Sequence, residues 1–263
     1  MKNYLVIGNP IEHSLSPKLH NYWIKNNNIN ANYEKKKKEQ YELENLILEV
    51  REKKIHGVNI TVPFKKVIIP LIDQLSFEAE TTQSVNTIYL NNDKIIGHNT
   101  DIDGFVLAIK NLKLKLTDKK VLVLGAGGVA SSVIYALDKM EVSKITLCNR
   151  TKDKAEILKD QFKELKVIDW GELPEFDIII NTTSIGLNIN DKIKIDFTKV
   201  GKNKLFYDVI YNPAETNFLK TGKKLGNKTE NGKLMFIYQA YAAFKLWHGI
   251  SPEINEDVIK LLE

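Results

Sequence analysis

The sequence has almost no cysteine and no long apolar run. Its 263 residues include one cysteine, Cys148, which excludes a disulfide within the chain and fits a reducing compartment. The apolar runs, of which residues 67–72 are an example, are far shorter than the ~18 residues that a membrane-spanning helix needs. Residues 1–8 lead directly into a strand-like run, without the apolar segment and cleavage site of a signal peptide. We therefore expect a cytoplasmic protein.

Glycine and proline are also scarce. With 14 glycines and 7 prolines in a chain that is 43% hydrophobic and 27% charged, collagen-like and largely disordered proteins are excluded. The length allows one large domain or two smaller ones. The net charge of +5 permits an anionic partner. The lysines are dispersed except at residues 35–38, no stripe of basic and aromatic residues is present, and the histidines lack metal-ligand spacing. We expect a small acidic ligand and a phosphorylated cofactor, with no nucleic acid, membrane or metal.

Strand-like and helix-like segments alternate along the chain. Strands are predicted at residues 4–7, 32–36, 57–62, 87–90, 94–98, 120–124, 144–148, 167–169, 177–181 and 205–208. Helices are predicted from residue 16 onward and at residues 41–54, 68–73, 78–82, 105–111, 129–139 and 231–248. This alternation predicts an α/β fold made of βαβ units with mostly parallel sheets.

The most informative segment follows the strand predicted at residues 120–124. Gly125, Gly127 and Ala130 form a G-x-G-x-x-A pattern that leaves an apolar strand and opens an amphipathic helix. The first glycine permits a tight turn, the second lets the backbone approach a pyrophosphate, and the alanine lets helix and strand pack closely. The segment predicts a dinucleotide-binding site; the alternative is an ordinary strand-to-helix turn.

The end of the next strand indicates which dinucleotide is bound. NAD sites usually carry an acidic residue there, which holds the ribose 2′-hydroxyl. Asn149, Arg150 and Thr151 stand there instead, and Lys154 follows. Arg150 can stack on adenine and pair with a 2′-phosphate, while its neighbours add donors. With the glycine pattern upstream, this favours NADP(H) over NAD; without it, Arg150 would be a surface residue that starts a helix.

Polar residues near the predicted strand ends of the first third point to a substrate site. Ser14 and Ser16 lie at a strand-to-helix connection, where hydroxyls and helix-start amides suit a carboxylate, or where they simply cap the helix. Asn59 and Thr61 project from one side of a predicted strand. Lys65 follows the carboxyl end of that strand, where ligands bind in open α/β sheets.

An amide and a carboxylate complete this set. Asn86 and Asp101 lie near the ends of other predicted elements. A Lys65–Asp101 pair that faces the carbonyl of a polyol can hold and move a proton while hydride transfers. Each residue alone is typical of a turn or a surface, but together they predict a catalytic site.

With these residues assembled, the chain resembles the shikimate dehydrogenase family. The resemblance runs nearly end to end, through residues 8–17, 59–65, 85–87, 99–104, the glycine pattern, residues 149–151, 181–186 and 208–213, and Gln239, Ala240, Phe244 and Trp247. It implies two domains separated by a cleft. Residues 1–101 with 237–263 would form an α/β substrate domain, and residues 102–236 a Rossmann-type NADP domain with a doubly wound parallel sheet.

The resemblance also implies the reaction and the role of each site residue. The activity would be the reversible, NADPH-dependent reduction of 3-dehydroshikimate to shikimate in aromatic amino-acid biosynthesis, by a monomer or homodimer. Lys65 and Asp101 would be the catalytic pair, with Lys65 the proton donor in reduction. The substrate would contact this pair and Ser14, Ser16, Asn59, Thr61, Asn86, Tyr211 and Gln239. The cofactor would contact Gly125, Ala126, Gly127, Gly128, Val129, Asn149, Arg150, Thr151, Lys154, Thr182, Ser184, Val209 and Gly232.

The chain departs from the family's pattern in three places. Gln83 and Ser84 stand where glycine and alanine are usual, which changes the backbone freedom of that turn. Leu187 replaces a methionine near the expected nicotinamide site, and Asn231 occupies a position that is usually small. No catalytic group is lost.

Two other functions stay open. A quinate/shikimate dehydrogenase would accept the saturated ring and use NAD or both cofactors. A non-catalytic Rossmann protein that senses NADP(H) would not require Lys65 together with Asp101.

Overall fold

Strands and helices alternate along the chain and assemble around two sheets, which confirms the predicted α/β class. The computed structural model describes residues 1–262. By its internal contacts the chain divides into two units. The first is Met1–Gly104 together with the segment from Ile237 onward, and the second is Phe105–Phe236. Each unit contains its own six-stranded sheet.

The sheet of the first unit is mixed. Its strands are β1 (Lys2–Gly8), β2 (Ala31–Lys37), β3 (Gly57–Ile60), β4 (Gln74–Leu75), β5 (Thr87–Asn91) and β6 (Lys94–His98). Their order is β2-β1-β3-β5-β6-β4. Strand β1 runs parallel to β2 and β3, whereas β5 is antiparallel to both β3 and β6. Asn92 and Asp93, with φ of 48° and 58°, turn the β5–β6 hairpin in the left-handed conformation that suits a tight hairpin turn.

The sheet of the second unit is entirely parallel. Its strands are β7 (Lys120–Leu124), β8 (Lys144–Cys148), β9 (Lys166–Ile168), β10 (Ile178–Asn181), β11 (Leu205–Asp208) and β12 (Lys228–Glu230). Their order is β12-β11-β10-β7-β8-β9, so successive strands are added outward on either side of β7 and β10. This is the doubly wound order, in which dinucleotides bind where the winding direction changes. The Rossmann-type sheet predicted for this part of the chain is confirmed.

The helices flank these strands in sequence. They are α1 (Ser16–Asn26), α2 (Leu43–Arg51), α3 (Phe64–Val67), α4 (Phe77–Thr82), α5 (Asp101–Asn111), α6 (Ala130–Lys139), α7 (Lys152–Gln161), α8 (Asn217–Lys224), α9 (Lys233–His248) and α10 (Glu256–Leu261). The division between the units falls within α5 and within α9. No helix among residues 1–262 is both long and apolar enough to cross a membrane.

Local sequence explains most of these elements. Helix α2 buries Leu43, Leu46, Ile47 and Val50, which is the apolar stripe that its periodicity predicts. The helix predicted at residues 68–73 is instead a 3-10 turn at Ile69–Leu71. Pro70 lies inside that segment and has no N–H for the regular helical ladder, which is the physical reason for the difference.

A cluster of aromatic side chains packs in the first unit. The ring of His20 stacks on Tyr33, with 4.2 Å between centroids and 3° between planes, and it meets the edge of Trp23. His20 is fully buried, and neither ring nitrogen has a hydrogen-bond partner among the described residues. Burial, with a smaller effect from His248, lowers the pKa of His20 to about 3. The ring is therefore neutral in the folded protein.

We expect the free energy of unfolding to fall less in mild acid for the His20→Phe variant than for the wild type. The folded-state pKa of His20 lies below its ordinary value, so the unfolded chain binds the extra proton as the pH falls. Between about pH 6 and the folded-state pKa, one such histidine lowers the free energy of unfolding by about 1.4 kcal/mol per pH unit. Urea denaturation at about pH 7 and about pH 5 measures this dependence. His13→Gln, at an exposed histidine, is the control. An unchanged pH dependence in His20→Phe would contradict the expectation.

Candidate active site and cofactor loop

Lys65 and Asp101 meet in the first unit. Lys65 lies on α3, just after the carboxyl end of β3, and Asp101 is the first residue of α5. The Nζ of Lys65 donates to Oδ2 of Asp101 at 2.5 Å, and the two side chains are only 11% and 9% exposed. The carbonyl of Lys65 accepts the N–H of Val85 at 2.9 Å, which fixes the backbone of α3. The predicted catalytic residues thus form an ion pair that is largely shielded from water, where electrostatic interactions are stronger than at the surface.

Asn86 holds the other oxygen of the Asp101 carboxylate. Its Nδ2 donates to Oδ1 of Asp101 at 2.8 Å and to Oγ1 of Thr100 at 3.0 Å. Its Oδ1 accepts the N–H of Thr100 at 2.7 Å. Each oxygen of Asp101 therefore has its own donor. A carboxylate held in this way keeps one orientation toward the ammonium group.

Asn59 lies behind this pair on β3 and is buried. Its Oδ1 accepts the hydroxyl of Tyr33 at 2.6 Å, and its Nδ2 donates to Oγ1 of Thr87 at 3.0 Å and to the carbonyl of Asn86 at 3.2 Å. Both amide hydrogens are therefore used inside the protein. Tyr33 and Thr87 were not among the predicted site residues, although Thr87 stands directly beside Asn86 in the segment 85–87.

Ser14 lies between β1 and α1, and Ser16 is the first residue of α1. The N-cap of α1 is Leu15, which makes no side-chain capping bond, and Oγ of Ser14 accepts the N–H of Ser16 at 3.3 Å. Neither serine is thus the N-cap residue of α1. Two hydrogen bonds connect the segment before α1 to β2 and to the residues that follow β2. Lys35 donates to the carbonyl of Glu12, and Nδ2 of Asn9 donates to Oε1 of Glu39 at 3.0 Å.

The remaining residues of the predicted substrate set lie in separate places. Thr61 follows the end of β3, and its Cγ2 would lie 2.5 Å from a Cβ at Gly8, so Gly8 leaves room for the threonine methyl group. Gln239 is half-buried on α9, in the first unit. Tyr211 belongs to the second unit, where its ring stacks on Phe236 with 4.3 Å between centroids.

The glycine loop of the second unit connects β7 to α6. Gly125 has a φ of 100°, and a Cβ there would lie 2.5 Å from Cγ2 of Thr183, so both conformation and space require glycine. The hydroxyl of Thr182 lies 2.9 Å from the carbonyls of Leu124 and Gly125, which connects the loop to the end of β10.

Gly127 is different from Gly125. A Cβ at Gly127 would meet only the carbonyl of Thr182, at 3.6 Å, which is an ordinary contact. The packing of the chain therefore does not require glycine at this position. A pyrophosphate that approaches the backbone closely would require glycine at position 127. The loop lies at the change of winding direction, where a pyrophosphate meets backbone N–H groups. The residues present thus fit a dinucleotide.

The turn after β8 joins the glycine loop. Oδ1 of Asn149 accepts the N–H of Ala126 at 3.0 Å, and its Nδ2 donates to the carbonyl of Thr151 at 2.6 Å. Thr151 is the N-cap of α7 but makes no side-chain capping bond. Arg150 and Lys154 are exposed and form no ion pair with the described residues. Two cations and a hydroxyl that the fold does not use suit a phosphate group.

Loops after β10 and β11 complete this end of the sheet. Ser184 is exposed in the first loop. Val209 lies in the second loop, and Gly232 lies between β12 and α9. A Cβ on Gly232 would lie 2.0 Å from the carbonyl oxygen of Val209, which makes glycine necessary at position 232. Gly128 and Val129 lead from the glycine loop into α6.

Asp208, at the end of β11, connects the two loops. It is fully buried and accepts hydrogen bonds from Oγ1 of Thr216 at 2.7 Å, Nδ2 of Asn181 at 3.0 Å and the N–H of Ile210 at 3.0 Å. Burial raises the pKa of Asp208 to about 6, while these hydrogen bonds act in the opposite direction. Asp208 begins the motif at residues 208–213, but no role was predicted for it.

Two family models match the chain. The model described as "Shikimate dehydrogenase substrate binding domain" matches residues 6–88. The model described as "Shikimate / quinate 5-dehydrogenase" matches residues 106–215. The chain belongs to the shikimate dehydrogenase family.

Individual members of the shikimate dehydrogenase family are similar over the full length. An NADP(+) shikimate dehydrogenase of Pelagibacter ubique is 59% identical, with 100% of this chain and 99% of the relative covered. The crystal structure of the Aquifex aeolicus shikimate dehydrogenase has a TM-score of 0.92 at 38% identity and covers 100% of this chain and 97% of its own. The Thermus thermophilus shikimate 5-dehydrogenase, solved with NADP(H) and shikimate, has a TM-score of 0.91 at 30% identity, with 100% and 98% covered.

The structure explains one of the three departures from the family's pattern, the asparagine at position 231, and shows why glycine is usual at position 83. Gln83 adopts a φ of 47° at the end of α4, the left-handed conformation that glycine adopts most easily. Asn231 accepts the N–H of Lys233 at 3.0 Å and donates to the carbonyl of Ala214 at 2.9 Å, so its amide joins the start of α9 to a loop. Leu187 is 57% exposed, and no contact explains its presence.

Proposed function

We propose that this chain catalyses the reversible, NADPH-dependent reduction of 3-dehydroshikimate to shikimate. The observation that carries the proposal is the 2.5 Å contact between Lys65 and Asp101 in a site largely shielded from water. A proton donor of this kind is what the reduction of a ring carbonyl requires. Membership of the family supplies the substrate class, and aromatic amino-acid biosynthesis in the cytoplasm is the setting that we propose for it.

In the proposed reaction Lys65 handles the proton. When bound, NADPH supplies the hydride. The ammonium group of Lys65 donates a proton to the carbonyl oxygen that becomes the hydroxyl, and in the reverse direction Lys65 accepts that proton. Asp101 fixes the Nζ of Lys65 through their ion pair, while Asn86 keeps the carboxylate in place.

The other proposed substrate contacts orient the ring. The hydroxyls of Ser14 and Ser16 would hold the carboxylate of the substrate. Ring hydroxyls would be bound by Thr61, and by Asn59 through the remaining lone pair of its Oδ1, since both of its amide hydrogens are engaged. The further proposed contacts are Asn86, Tyr211 and Gln239.

The proposed cofactor site lies in the second unit. Its backbone N–H groups at Gly125, Ala126, Gly127, Gly128 and Val129 would meet the pyrophosphate. The 2′-phosphate would be bound by Asn149, Arg150, Thr151 and Lys154, and the nicotinamide half by Thr182, Ser184, Val209 and Gly232. We accordingly propose residues 1–101 with 237–263 as the substrate domain and residues 102–236 as the NADP domain, in a monomer or homodimer.

A steady-state assay with shikimate or quinate and with NADP or NAD tests the proposal. We expect shikimate with NADP to give the highest kcat/KM. Failure of shikimate to reduce NADP would overturn the proposal, and NADP binding without any turnover would indicate a sensor. Comparable rates with quinate and NAD would instead indicate a quinate/shikimate dehydrogenase.

A further inference from the structure

A buried chain of hydrogen bonds runs from Tyr33 to Asp101. The hydroxyl of Tyr33 donates to Oδ1 of Asn59 at 2.6 Å, and Nδ2 of Asn59 donates to Oγ1 of Thr87 at 3.0 Å. The Thr87 hydroxyl donates to Oδ1 of Asn86 at 3.0 Å, and Nδ2 of Asn86 donates to Oδ1 of Asp101 at 2.8 Å. We call these five residues the Tyr33 network. It ends on the carboxylate that holds the ammonium group of the proposed proton donor.

The direction of each bond in the Tyr33 network follows from its neighbours. Nδ2 of Asn59 also faces the main-chain carbonyl of Asn86, which can only accept, so Oδ1 of Asn59 must face Tyr33. Oδ1 of Asn86 faces the N–H of Thr100, which can only donate, so Nδ2 of Asn86 must face Asp101. Oγ1 of Thr87 accepts from Asn59, and its own hydrogen is free to reach Oδ1 of Asn86 at 3.0 Å or Oγ1 of Thr100 at 3.2 Å. With the Thr87 hydroxyl turned to Asn86, all donors point from Tyr33 toward Asp101. Hydrogen bonds aligned in one direction polarise and strengthen one another.

The tyrosine itself is held firmly. Tyr33 is 1% exposed and its ring stacks on His20 at 4.2 Å between centroids. Its main chain is bracketed by Asn21 of α1, which accepts its N–H at 3.0 Å and donates to its carbonyl at 2.8 Å. Asn59 and Thr87 are buried as well, at 6% and 0% exposure. The protein itself therefore holds these three side chains in place.

We propose that Tyr33 is a positioning residue that acts through Asn59 to orient Asn86 and Asp101 for catalysis. The proposal rests on the proposed function, because its effect is read in turnover of shikimate. Without the hydroxyl, Oδ1 of Asn59 loses the donor that the protein gives it, and the fold no longer holds the amide in its present orientation. The bond to Thr87 would then be lost, and with it the fixed orientation of Asn86.

Tyr33→Phe removes the hydroxyl alone and tests the proposal. We expect kcat/KM for shikimate to fall about tenfold, as loss of one buried hydrogen bond allows, while KM for NADP changes less than about twofold. Tyr4→Phe is the matched control, because Tyr4 is also buried, at 2% exposure, and its ring contacts Trp247, which lies beside Tyr33 as well. Tyr4 forms no hydrogen bond with the Tyr33 network among the described residues. A kcat/KM in Tyr33→Phe equal to that of Tyr4→Phe would overturn the proposal.

A double-mutant cycle separates positioning from a loss of stability. If Tyr33 acts through Asn59, then Tyr33→Phe has no further effect on kcat/KM in an Asn59→Ala background. Independent, multiplying effects of the two substitutions would overturn the proposal. Should Tyr33→Phe not fold, Thr87→Val interrupts the Tyr33 network one step later. A tenfold loss there supports the proposal and an unchanged kcat/KM overturns it. An inactive wild type would instead defeat the proposed function itself, and the proposal with it.

Discussion

Replacing Lys65 by methionine is expected to lower kcat for shikimate oxidation by about a thousandfold, within the usual range for removing a general acid or base. Methionine keeps much of the length and apolar stem of lysine but carries no proton. KM for shikimate should change much less, because Ser14, Ser16 and the buried amides remain in place. Steady-state kinetics in both directions measure the effect, since the same proton is given in reduction and taken in oxidation.

Lys66→Met provides the control for this experiment. Lys66 is the next residue of α3 and is exposed, so it has the same chemistry without the contact to Asp101. Its kcat should stay within about twofold of the wild type, as usual for surface substitutions. A normal kcat in Lys65→Met would show that Lys65 does not transfer the proton. Adding Asp101→Asn to the Lys65→Met variant should lower kcat little further, because the two groups act as one unit.

Parts of the site were predictable because they depend on short sequence patterns or on the ends of predicted strands. The glycine loop follows from an apolar strand, two glycines and an amphipathic helix, and the structure places Gly125 at a φ of 100° between β7 and α6. The meeting of Lys65 and Asp101 was also predictable, although 36 residues separate them. Both follow strands of the first unit, and ligands of α/β sheets gather at strand ends.

The Tyr33 network was not predictable in the same way. Tyr33 lies on β2, at the edge of the sheet, and its hydroxyl reaches β3 across β1. That contact depends on the strand order β2-β1-β3 and on a register that places Tyr4 opposite both Tyr33 and Gly57. Alternation of apolar and polar residues indicates that a strand exists but not which strands are its neighbours.

The short polar elements were missed for a related reason. Strand β4 has 2 residues. Strand β12 has 3, and two of these, Lys228 and Glu230, are charged. Neither is long enough to show a period of two. They form because a neighbouring strand already exposes its N–H and C=O groups, as β11 does for β12.

Arg150→Ala is the second large effect that we expect, and it concerns the choice of cofactor. Asn149 and Thr151 are drawn together by the hydrogen bond between them, so the turn places Arg150 beside the start of α7 with no carboxylate partner among residues 1–262. A guanidinium that pairs with phosphate through charge-assisted hydrogen bonds contributes about 2–3 kcal/mol, so KM for NADP should rise about fiftyfold. kcat at saturating NADP should stay near the wild-type value, since Arg150 is proposed to bind the 2′-phosphate and not the nicotinamide.

NAD, which lacks the 2′-phosphate, is the internal control in the same assay. Arg150→Ala should leave kcat/KM for NAD within about twofold of the wild-type value. The ratio of kcat/KM for NADP to kcat/KM for NAD then falls, while the catalytic step is unchanged. Lys159 lies farther along α7 and pairs with Glu156 at 3.6 Å. Lys159→Ala should change kcat/KM for neither cofactor. The difference between wild type and Arg150→Ala should also shrink as salt is added, because an exposed charge is screened over about 10 Å at 0.1 M ionic strength. An equal rise in KM for both cofactors would mean that Arg150 stacks on the adenine, which NAD and NADP share, and does not recognise the phosphate.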